Sequence, residues 1–436
     1  MTEIVVVGAG LTGLTAALRL AQSGYRVRVF ERYPRPGGLA RVFEVGGERL
    51  EAFYHHLFTT DSAYVRLARE LDLASAIEWL PSRMGIWTDH RLWDFGTPQS
   101  LLRFSPLSLV DKARFVLWTV LLQRSGRAER YADVTAKEWI CAHQGRRVWD
   151  VVWGPLFHQK FSDYADQVAM VWLWRKVYLR GRSRSRSGLG ERLGYMRGSF
   201  ARLVETLAAR ITGLGGEVSL SDEVRRLEHD DAGFQVMSRQ GEVHCDRVLL
   251  AIPIPEYLEV AGHLLPAADL DRLHGLKSTA AICTVLEMNR SLTPYYWLNI
   301  ADPDMPFGGL IEHTNYISRE RYGGRHILYI SNYLLPNDPM LSLSKSEILD
   351  RYVPALQRIN SSFGEDWIVA SHHFKADYAQ PLVTVGYRRL IPPFRTAVPG
   401  LYLGSMAQIY PEDRGQNYAV EYGEKVARCL IEDLGG

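Results

Sequence analysis

A glycine-rich turn near the start of the chain constrains the fold more than any other feature. The run EIVVVGAGLTGLTAALRLAQSGYRVRVFER reads as a strand, a tight turn, a helix and a second strand. Ile4–Val7 is continuously apolar, as expected for a parallel strand that is buried on both faces. Gly8, Gly10 and Gly13 follow it as G-x-G-x-x-G. In this setting the glycines permit the turn, let the backbone approach a pyrophosphate and allow the helix to pack closely on the strand.

The second strand and the acid that closes it complete a dinucleotide-binding pattern. Gly24 ends the helix, YRVRVF forms the next strand, and Glu31 follows that strand. An acid at this position accepts ribose hydroxyls and disfavours a 2′-phosphate, while the helix N-terminus attracts the phosphates. The sequence therefore predicts an α/β chain with a Rossmann-like nucleotide-binding domain.

Composition narrows the class of protein. The chain has 436 residues, which suggests two domains, and a net charge of +2 provides no basic field for nucleic acid. The four cysteines have neither metal-ligand nor disulfide spacing, so we expect no metal and no disulfide framework. No signal-peptide pattern precedes the first strand, and a reducing cytoplasm is the predicted location. Oligomeric state is left open.

A second glycine pair identifies the nucleotide. Glu31 is followed by RYPRPGGLAR, which places Gly37 and Gly38 after five intervening residues. This resembles the second fingerprint of the superfamily that contains FAD-dependent amine oxidases, protoporphyrinogen oxidases and phytoene desaturases. The resemblance implies that the acid and the glycine pair hold FAD. The family's usual arginine after the pair is replaced by leucine, and Arg41 follows two places later.

Two further parts of the chain extend the resemblance. The segment 198–228 has a glycine turn, an amphipathic helix and two strands, and Val224 matches the family's adenine-facing valine. The run DRVLLAIP resembles the family's strand that returns to the cofactor. Near the C-terminus, a strand at 401–404 leads through a loop into the helical run AVEYGEKVA, which resembles the family's closing helix.

The closing helix implies contacts with the flavin. Two-electron reduction leaves negative charge near flavin N1, and a helix N-terminus stabilises such charge. The resemblance makes the following candidates for cofactor binding here: Gly404, Arg414, and the backbone N–H groups around Gly415, Asn417 and Tyr418. An ion pair of the arginine with Glu412 or Asp413 is the alternative.

The family's interleaved architecture implies the domain division. We expect an FAD-binding domain from 1–80, 190–258 and 395–436, and a substrate-binding domain from 81–189 and 259–394. The second domain is predicted to be α+β, because 278–335 and 366–390 alternate apolar and polar residues as antiparallel strands do.

The inserted part carries candidate substrate residues. Lys160 and His158 follow Gly154–Pro155, and Lys160 is predicted to face a pocket, together with Tyr387 and Arg388. The basic run at 180–188 fits either a surface loop or a lid for an anionic substrate. The tryptophans there either stack a ligand or form core, and core is favoured on burial statistics. They are Trp149, Trp153, Trp172 and Trp174.

One apolar run raises the question of a membrane. ARFVLWTVLL spans 113–122 and is too short to cross a bilayer. Its length favours a buried helix over a surface that touches a membrane, so membrane contact is not expected.

Two adjacent histidines are the catalytic candidates. His55 and His56 lie in EAFYHHLFTTD, one short hairpin after the second glycine pair. If the segment is extended, they point to opposite faces, so at most one meets the flavin. We assign that role to His56, because HHLFTT resembles the HIFHT pattern of UDP-galactopyranose mutases, and we assign His55 to packing or hydrogen bonding.

The resemblance implies the following activity. FAD would accept a hydride at N5 from a small organic substrate, and no second G-x-G-x-x-G marks a dedicated NAD(P)H domain. The alternative is a redox-neutral nucleotide-sugar mutase that uses reduced FAD. The expected partner is a small molecule, anionic or sugar-linked, and not nucleic acid.

Overall fold

The computed structural model describes residues 2–183 and 191–435. Its strands run in chain order as follows: β1 Glu3–Val7, β2 Arg26–Phe30, β3 Val42–Val45, β4 Glu48–Glu51, β5 Leu57–Phe58, β6 Ile77–Ser82, β7 Met84–Thr88, β8 Arg91–Asp94, β9 Glu191–Met196, β10 Glu217–Ser219, β11 Val224–Asp230, β12 Gly233–Ser238, β13 Glu242–Cys245, β14 Arg247–Leu250, β15 Ser278–Met288, β16 Trp297–Ile300, β17 Gly309–Glu312, β18 His326–Leu334, β19 Ile368–Pro381 and β20 Leu401–Leu403.

Six of the helices follow one another between 98 and 183 without an intervening strand. In chain order the helices are α1 Leu11–Gln22, α2 Ser62–Glu70, α3 Pro98–Arg103, α4 Leu109–Arg124, α5 Ala136–His143, α6 Arg146–Val148, α7 Gly154–Phe161, α8 Met170–Ser183, α9 Ala201–Gly213, α10 Ile254–Ala261, α11 Ala267–His274, α12 Lys345–Ile359 and α13 Gln416–Asp433. None of the described helices is long and apolar enough to cross a membrane.

A parallel sheet gathers strands from distant parts of the sequence. Its order is β10-β2-β1-β14-β20, and each neighbouring pair is parallel. Helices cover the sheet, and the buried β1 residues Ile4, Val5 and Val6 are fully inaccessible, as the continuous apolar run predicts. The mixed α/β class is confirmed, while the domain boundaries stay a prediction.

Helices α1 and α13 pack closely against each other on this sheet. A Cβ on Gly423 of α13 would lie 2.6 Å from the carbonyl oxygen of Thr12 in α1. Only glycine therefore allows this approach of the two helices. The contact sets the relative position of their N-termini, both of which reach the carboxyl edge of the sheet.

A second sheet is built mainly from antiparallel pairs, as the alternating pattern predicts. Its order is β19-β15-β18-β17-β16-β7-β8, and only the β16–β7 pair is parallel. The central strand β15 is buried along nearly its whole length. This sheet stands opposite the carboxyl edge of the parallel sheet, because β19 contributes Lys375 and Tyr378 to a cleft that the parallel strands also line.

The helical segment from α3 to α8 forms its own apolar core. Trp149, Trp172 and Trp174 are 3–4% exposed within this core, so the core reading of these three tryptophans is confirmed. Trp153 is partly buried at its margin. The basic run begins in α8, where Arg180 and Arg182 are exposed, and its remainder at 184–188 lies outside the described residues.

The prediction of a buried helix at 113–122 is wrong for one face of that helix. In α4, Leu122 is buried and Phe115 and Trp118 pack on the helical core. The opposite face is open, with Val116 48% and Leu117 56% exposed. Because the helix is apolar on both faces, the core covers only one of them.

Candidate functional site

A long cleft lies between the two sheets, at the carboxyl ends of the parallel strands. Its walls include the residues that follow β1, β2, β14 and β20, and part of β19 closes the other side. Ligands of open α/β sheets bind at this edge, because loops and helix N-termini converge there. The cleft also reaches His55, on the segment between β4 and β5.

The first glycine motif has the geometry of a phosphate-binding turn. Gly8 has a φ of 103°, and a Cβ on Gly13 would lie 2.0 Å from the Gly8 carbonyl oxygen. By contrast, a Cβ on Gly10 would meet nothing within 4 Å, and Gly10 lines the cleft. Gly10 precedes α1, whose N-terminus has no side-chain cap. Free backbone N–H groups therefore face the open space.

Glu31 is fixed where a ribose would bind. Its Oε2 accepts a hydrogen bond from the N–H of Ala9 at 2.9 Å, and its Oε1 accepts one from the N–H of Tyr33 at 3.0 Å. Glu31 is only 6% exposed and lines the cleft. Each carboxylate oxygen keeps a further lone pair, so the side chain can accept hydroxyl protons without losing these contacts.

The second glycine pair and its arginine also border the cleft. Gly38 approaches the first motif, since its Cβ would lie 3.4 Å from the Cα of Gly10, and Gly37 donates its N–H to Ala9. Arg41 donates to the carbonyl of Lys375 at 2.9 Å, and burial lowers its pKa. Val224 is 6% exposed on the cleft wall. The structure thus brings these four predicted residues together.

The N-terminus of α13 provides a second uncapped helix end. Gly415 precedes the helix without any side-chain cap, and Gly404 and Arg414 lie beside it on the cleft. Both amide atoms of the buried Gln416 side chain, and Nε of Arg414, have no hydrogen-bond partner among the described residues. Buried polar groups need partners. These unpaired groups, with the glycine cradle, fit the polar edge of a flavin.

The next two residues of α13 do not line the cleft with their side chains, and contacts through their backbone N–H groups stay a prediction. Asn417 is buried, and its Oδ1 accepts hydrogen bonds from the N–H groups of Ala63 and Tyr64 at the start of α2. Tyr418 does not line the cleft either. The helix turns by about 100° per residue, so consecutive side chains leave the cleft. Gln416 and Ala419 are the side chains of this helix that line it.

The structure places His55 on the cleft, whereas the sequence assigns the flavin contact to His56. His55 borders the cleft, and its Nδ1 lies 2.6 Å from the carbonyl oxygen of Phe53. That nitrogen must donate, so the neutral ring presents Nε2 as an acceptor. His56 instead bonds the hydroxyl of Tyr296 at 3.1 Å and stacks edge-on with Trp297. Burial lowers the pKa of His55 to about 4 and that of His56 to about 3.

A group of buried charges lies beyond Arg414. Asp413 bonds Lys160 at 3.1 Å and Lys176 at 2.7 Å, and Trp172 Nε1 donates to it at 3.1 Å. Although burial opposes ionisation, the neighbouring cations hold the pKa of Asp413 well below its usual range. Burial lowers the pKa of Lys160, and lowers that of Lys176 to about 8.

The two lysines keep part of their surface open. Lys160 and Lys176 are partly buried, and 19% and 32% of their side chains remain accessible. Three cations, including Arg414, face a single carboxylate, because Arg175 takes the neighbouring Glu412. Unbalanced buried charge is costly, so such a group favours an anion. We call Lys160, Lys176, Asp413 and Arg414 the cationic group.

Aromatic side chains connect the cationic group with the histidines. Arg414 donates to the hydroxyl of Tyr333 at 2.6 Å, which lies 3.2 Å from the hydroxyl of Tyr54. Tyr54 stacks edge-on with Trp297, which in turn contacts His56. The cleft, the aromatic side chains and the cationic group therefore form one continuous region, with Arg414 at the junction.

Two predicted substrate residues lie elsewhere. Tyr387 is 2% exposed in the helical core, and its hydroxyl donates to the carbonyl of Ala407. Arg388 makes a surface ion pair with Asp133 at 2.9 Å. Neither lines the cleft, which corrects the prediction. Their segment runs past the helical core, where packing and a surface ion pair already occupy both side chains.

Several site residues have no signal in the sequence. Lys176 looks like any lysine on an amphipathic helix, and the sequence indicates Asp413 only as an ion-pair partner for Arg414. Lys375 and Gln416 belong to no motif. Only the adjacency of Asp413 and Arg414 to the closing helix could have directed attention to that loop.

Comparison with known proteins agrees with this geometry. The family described as flavin containing amine oxidoreductase matches residues 11–431. A Mycobacterium tuberculosis protein provisionally named flavin-containing monoamine oxidase AofH is 27% identical over 305 residues, or 64% of this chain. The match covers 65% of that relative's length. A 15-cis-phytoene desaturase from an Oncidium hybrid cultivar is 22% identical across 99% of this chain and 78% of its own length.

Solved structures share the fold at low identity. Putrescine oxidase bound to putrescine has a TM-score of 0.72 and 17% identity, with 99% of each chain covered. Reduced UDP-galactopyranose mutase has a TM-score of 0.76 and 16% identity, with 99% of this chain and 96% of that chain covered. These likenesses show the fold, and the family match over nearly the whole chain shows that the protein belongs to the flavin-containing amine oxidoreductase family, with FAD as its cofactor.

Proposed function

We propose that the protein is an FAD-dependent oxidoreductase that oxidises a small organic substrate carrying an acidic group. The observation that carries the proposal is the continuity of the cleft with an aromatic and cationic region at Arg414. Bound FAD would accept a hydride at its N5 atom. No second strand–glycine-turn–helix pattern in the sequence supplies a site for NAD(P)H, so an oxidase or dehydrogenase fits better than a pyridine-nucleotide reductase.

In this proposal the two helix ends bind FAD, and the residues beyond them contact the substrate. The α1 N-terminus and Glu31 hold the nucleotide part of FAD, and the α13 N-terminus with Arg414 and Gln416 holds the polar edge of the flavin. His55 presents Nε2 toward the cleft as a hydrogen-bond acceptor for a substrate N–H or O–H. Its low pKa keeps it neutral at pH 7.

The cationic group supports an acidic substrate. Lys160 and Lys176 share one carboxylate and remain partly accessible, so an incoming carboxylate or phosphate would balance the remaining charge. An amine without an acidic group would instead add a cation to a site that already holds an excess of cations. The substrate class proposed here therefore differs from that of putrescine, which is bound in one structural neighbour.

The test is anaerobic reduction of the FAD-loaded protein by matched pairs of compounds. Each amino acid, hydroxy acid or phosphorylated alcohol is paired with its ester, amide or unphosphorylated form. We expect bleaching of the flavin by an acidic member and a rate at least about tenfold lower with its neutral partner, since a lost charged contact costs about 1.5–3 kcal/mol. Bleaching by neutral or cationic compounds alone would overturn the acidic substrate class.

A redox-neutral nucleotide-sugar mutase is the second candidate. The same cationic group suits a diphosphate, and a UDP-galactopyranose mutase shares the fold. Incubation with nucleotide sugars, with and without dithionite, separates the two candidates. Turnover that needs reduced flavin and leaves no net oxidation would favour the mutase over the oxidoreductase.

A further inference from the structure

The outer face of α4 is an apolar surface that no described part of the chain covers. Over four turns, the side chains on this face are aliphatic, and each is between 37% and 75% exposed. They are Leu109, Val110, Val116, Leu117, Val120 and Leu121. Leu102, in the preceding helix α3, is 68% exposed. We call these seven residues the α4 face.

Its composition sets the α4 face apart from ordinary surface. Exposed aliphatic residues are common singly, but a continuous patch marks a surface that contacts something apolar. Elsewhere the large exposed hydrophobics are scattered, as with Leu214, Val369 and Val385. The helix itself is well formed, because Ser108 and Asp111 make a capping box at its start.

Five arginines lie on α4 or on the segments directly before and after it. They are Arg103, Arg114, Arg124, Arg127 and Arg130. All five are exposed, and none makes an ion pair with a residue that the structure describes. Arginines on other surfaces do find acids, as Arg19 does with Glu70 and Arg388 with Asp133. The only acids between positions 98 and 131 are Asp111 and Glu129. These arginines, which we call the arginine rim of the α4 face, therefore give this part of the chain an excess of positive charge.

We propose that the α4 face docks the protein on the surface of an anionic phospholipid membrane. The aliphatic side chains would enter the boundary between headgroups and acyl chains, and the arginines would contact lipid phosphates. Because its other side packs on the helical core, the 16-residue helix, about 24 Å long, would lie along the membrane surface without crossing the roughly 30 Å hydrocarbon core. The inference does not depend on the proposed reaction.

The charges disfavour a second copy of the chain as the occupant. In a two-fold dimer the same patch meets itself, so the rim of five arginines would face an identical rim. A membrane that contains anionic lipid provides both an apolar interior and the opposite charge.

Vesicle flotation tests the proposal with the full-length, FAD-loaded protein. Vesicles of phosphatidylcholine alone are compared with vesicles that contain about 30% phosphatidylglycerol, in about 0.1 M and about 1 M salt. We expect at least about tenfold more bound protein on the anionic vesicles at low salt, and a loss of that excess at high salt. Failure to bind the anionic vesicles would overturn the proposal.

Matched variants separate docking from misfolding. Leu117→Glu with Val120→Glu places two charges on the α4 face, and we expect at least about a tenfold loss of vesicle binding. Leu214→Glu with Val369→Glu makes the same change at two exposed aliphatic residues outside it, and binding should persist. Unchanged binding by the first pair would overturn the proposal. The proposal would also be overturned if the wild-type protein bound no vesicles and sedimented as a dimer that the first pair of substitutions dissociates.

Discussion

At the scale of single residues, the histidine pair shows how adjacent side chains acquire different environments. Both come from one short segment, but His55 reaches the cleft and His56 joins Tyr296 and Trp297. Their sequence order could not decide between them, because a one-residue change of register exchanges the two faces of an extended segment. Because His55 is the histidine on the cleft, we predict that His55, and not His56, takes part in turnover.

Replacing each histidine with alanine should separate the two roles. His55→Ala should lower kcat about a hundredfold, as for loss of a group that accepts a proton or hydrogen bond, with little change in melting temperature. His56→Ala should lower the free energy of unfolding by about 1–3 kcal/mol, because the buried Tyr296 hydroxyl loses its partner. Steady-state kinetics and thermal denaturation measure both. A larger kcat loss in His56→Ala would restore the original assignment.

The low histidine pKa values also predict the shape of the pH profile. Because burial holds the pKa of His55 at about 4, the ring is already neutral above pH 5. The logarithm of kcat/KM should therefore show no inflection near pH 6.5, the ordinary value for histidine. An inflection near 6.5 that disappears in His55→Ala would contradict this assignment.

The lowered pKa of Lys176 predicts a loss of activity in mild alkali. Its folded-state pKa of about 8 is below the ordinary value, so the ammonium is present below pH 8 and lost above it. For an acidic substrate, kcat/KM, which reports the free enzyme, should fall as pH rises through about 8. Lys176→Gln should have a low kcat/KM without this inflection. Lys345→Gln, at an exposed position, is the control and should keep the wild-type profile.

At the scale of elements, the site depends on two helices that meet through a glycine. The N-termini of α1 and α13 both open on the cleft, and Gly423 lets them pack at Thr12. Strands β1, β2, β14 and β20 deliver the flanking residues to the same edge, because all run in one direction. The direction of these elements, more than any single side chain, creates the cofactor site.

Gly423→Leu should push α1 and α13 apart. We expect a loss of about 1–3 kcal/mol in the free energy of unfolding, as for other overpacked contacts, and weaker FAD retention. Gly213→Ala, at a helix end where a Cβ meets nothing within 4 Å, is the matched control. Gel filtration followed by the flavin absorbance of the eluted protein gives the retained FAD. Full retention by Gly423→Leu would show that the two helix ends do not need this spacing.

At the scale of the whole molecule, FAD should act as part of the folded structure. The cleft separates the parallel sheet from the second sheet, and its walls come from the beginning, middle and end of the chain. A ligand that contacts all these segments binds the folded state and not the unfolded chain. Binding therefore adds directly to the free energy of unfolding.

Adding FAD to the apoprotein should raise its melting temperature. At a concentration of about 100 Kd the gain is about 2.7 kcal/mol, which corresponds to about 3 °C for a chain of this size. Glu31→Gln should shift the curve to higher FAD concentration, because it weakens the acceptor for the ribose hydroxyls. Differential scanning fluorimetry with FAD, and with NAD as the comparison ligand, provides the measurement. An equal shift with NAD would contradict selective binding of FAD.

The sequence by itself determined the α/β class, the nucleotide-binding turn and the FAD-facing segments. Those features depend on local chemistry: glycines at a turn, an acid after a strand and an apolar run buried on both faces. Gly8, Gly10, Glu31 and the second glycine pair are accordingly all on the cleft wall, and Gly13 packs behind them against the Gly8 carbonyl.

Tertiary structure alone decided which distant side chains meet and which faces stay uncovered. It brought Lys160 and Lys176 to Asp413, turned the Asn417 side chain away from the cleft, placed His55 and not His56 on the cleft wall and left one side of α4 uncovered. These outcomes depend on contacts between residues that are far apart in sequence, and a local pattern contains no information on which distant face will cover it. The balance of buried charge and the exposure of an apolar helix are therefore properties of the assembled molecule.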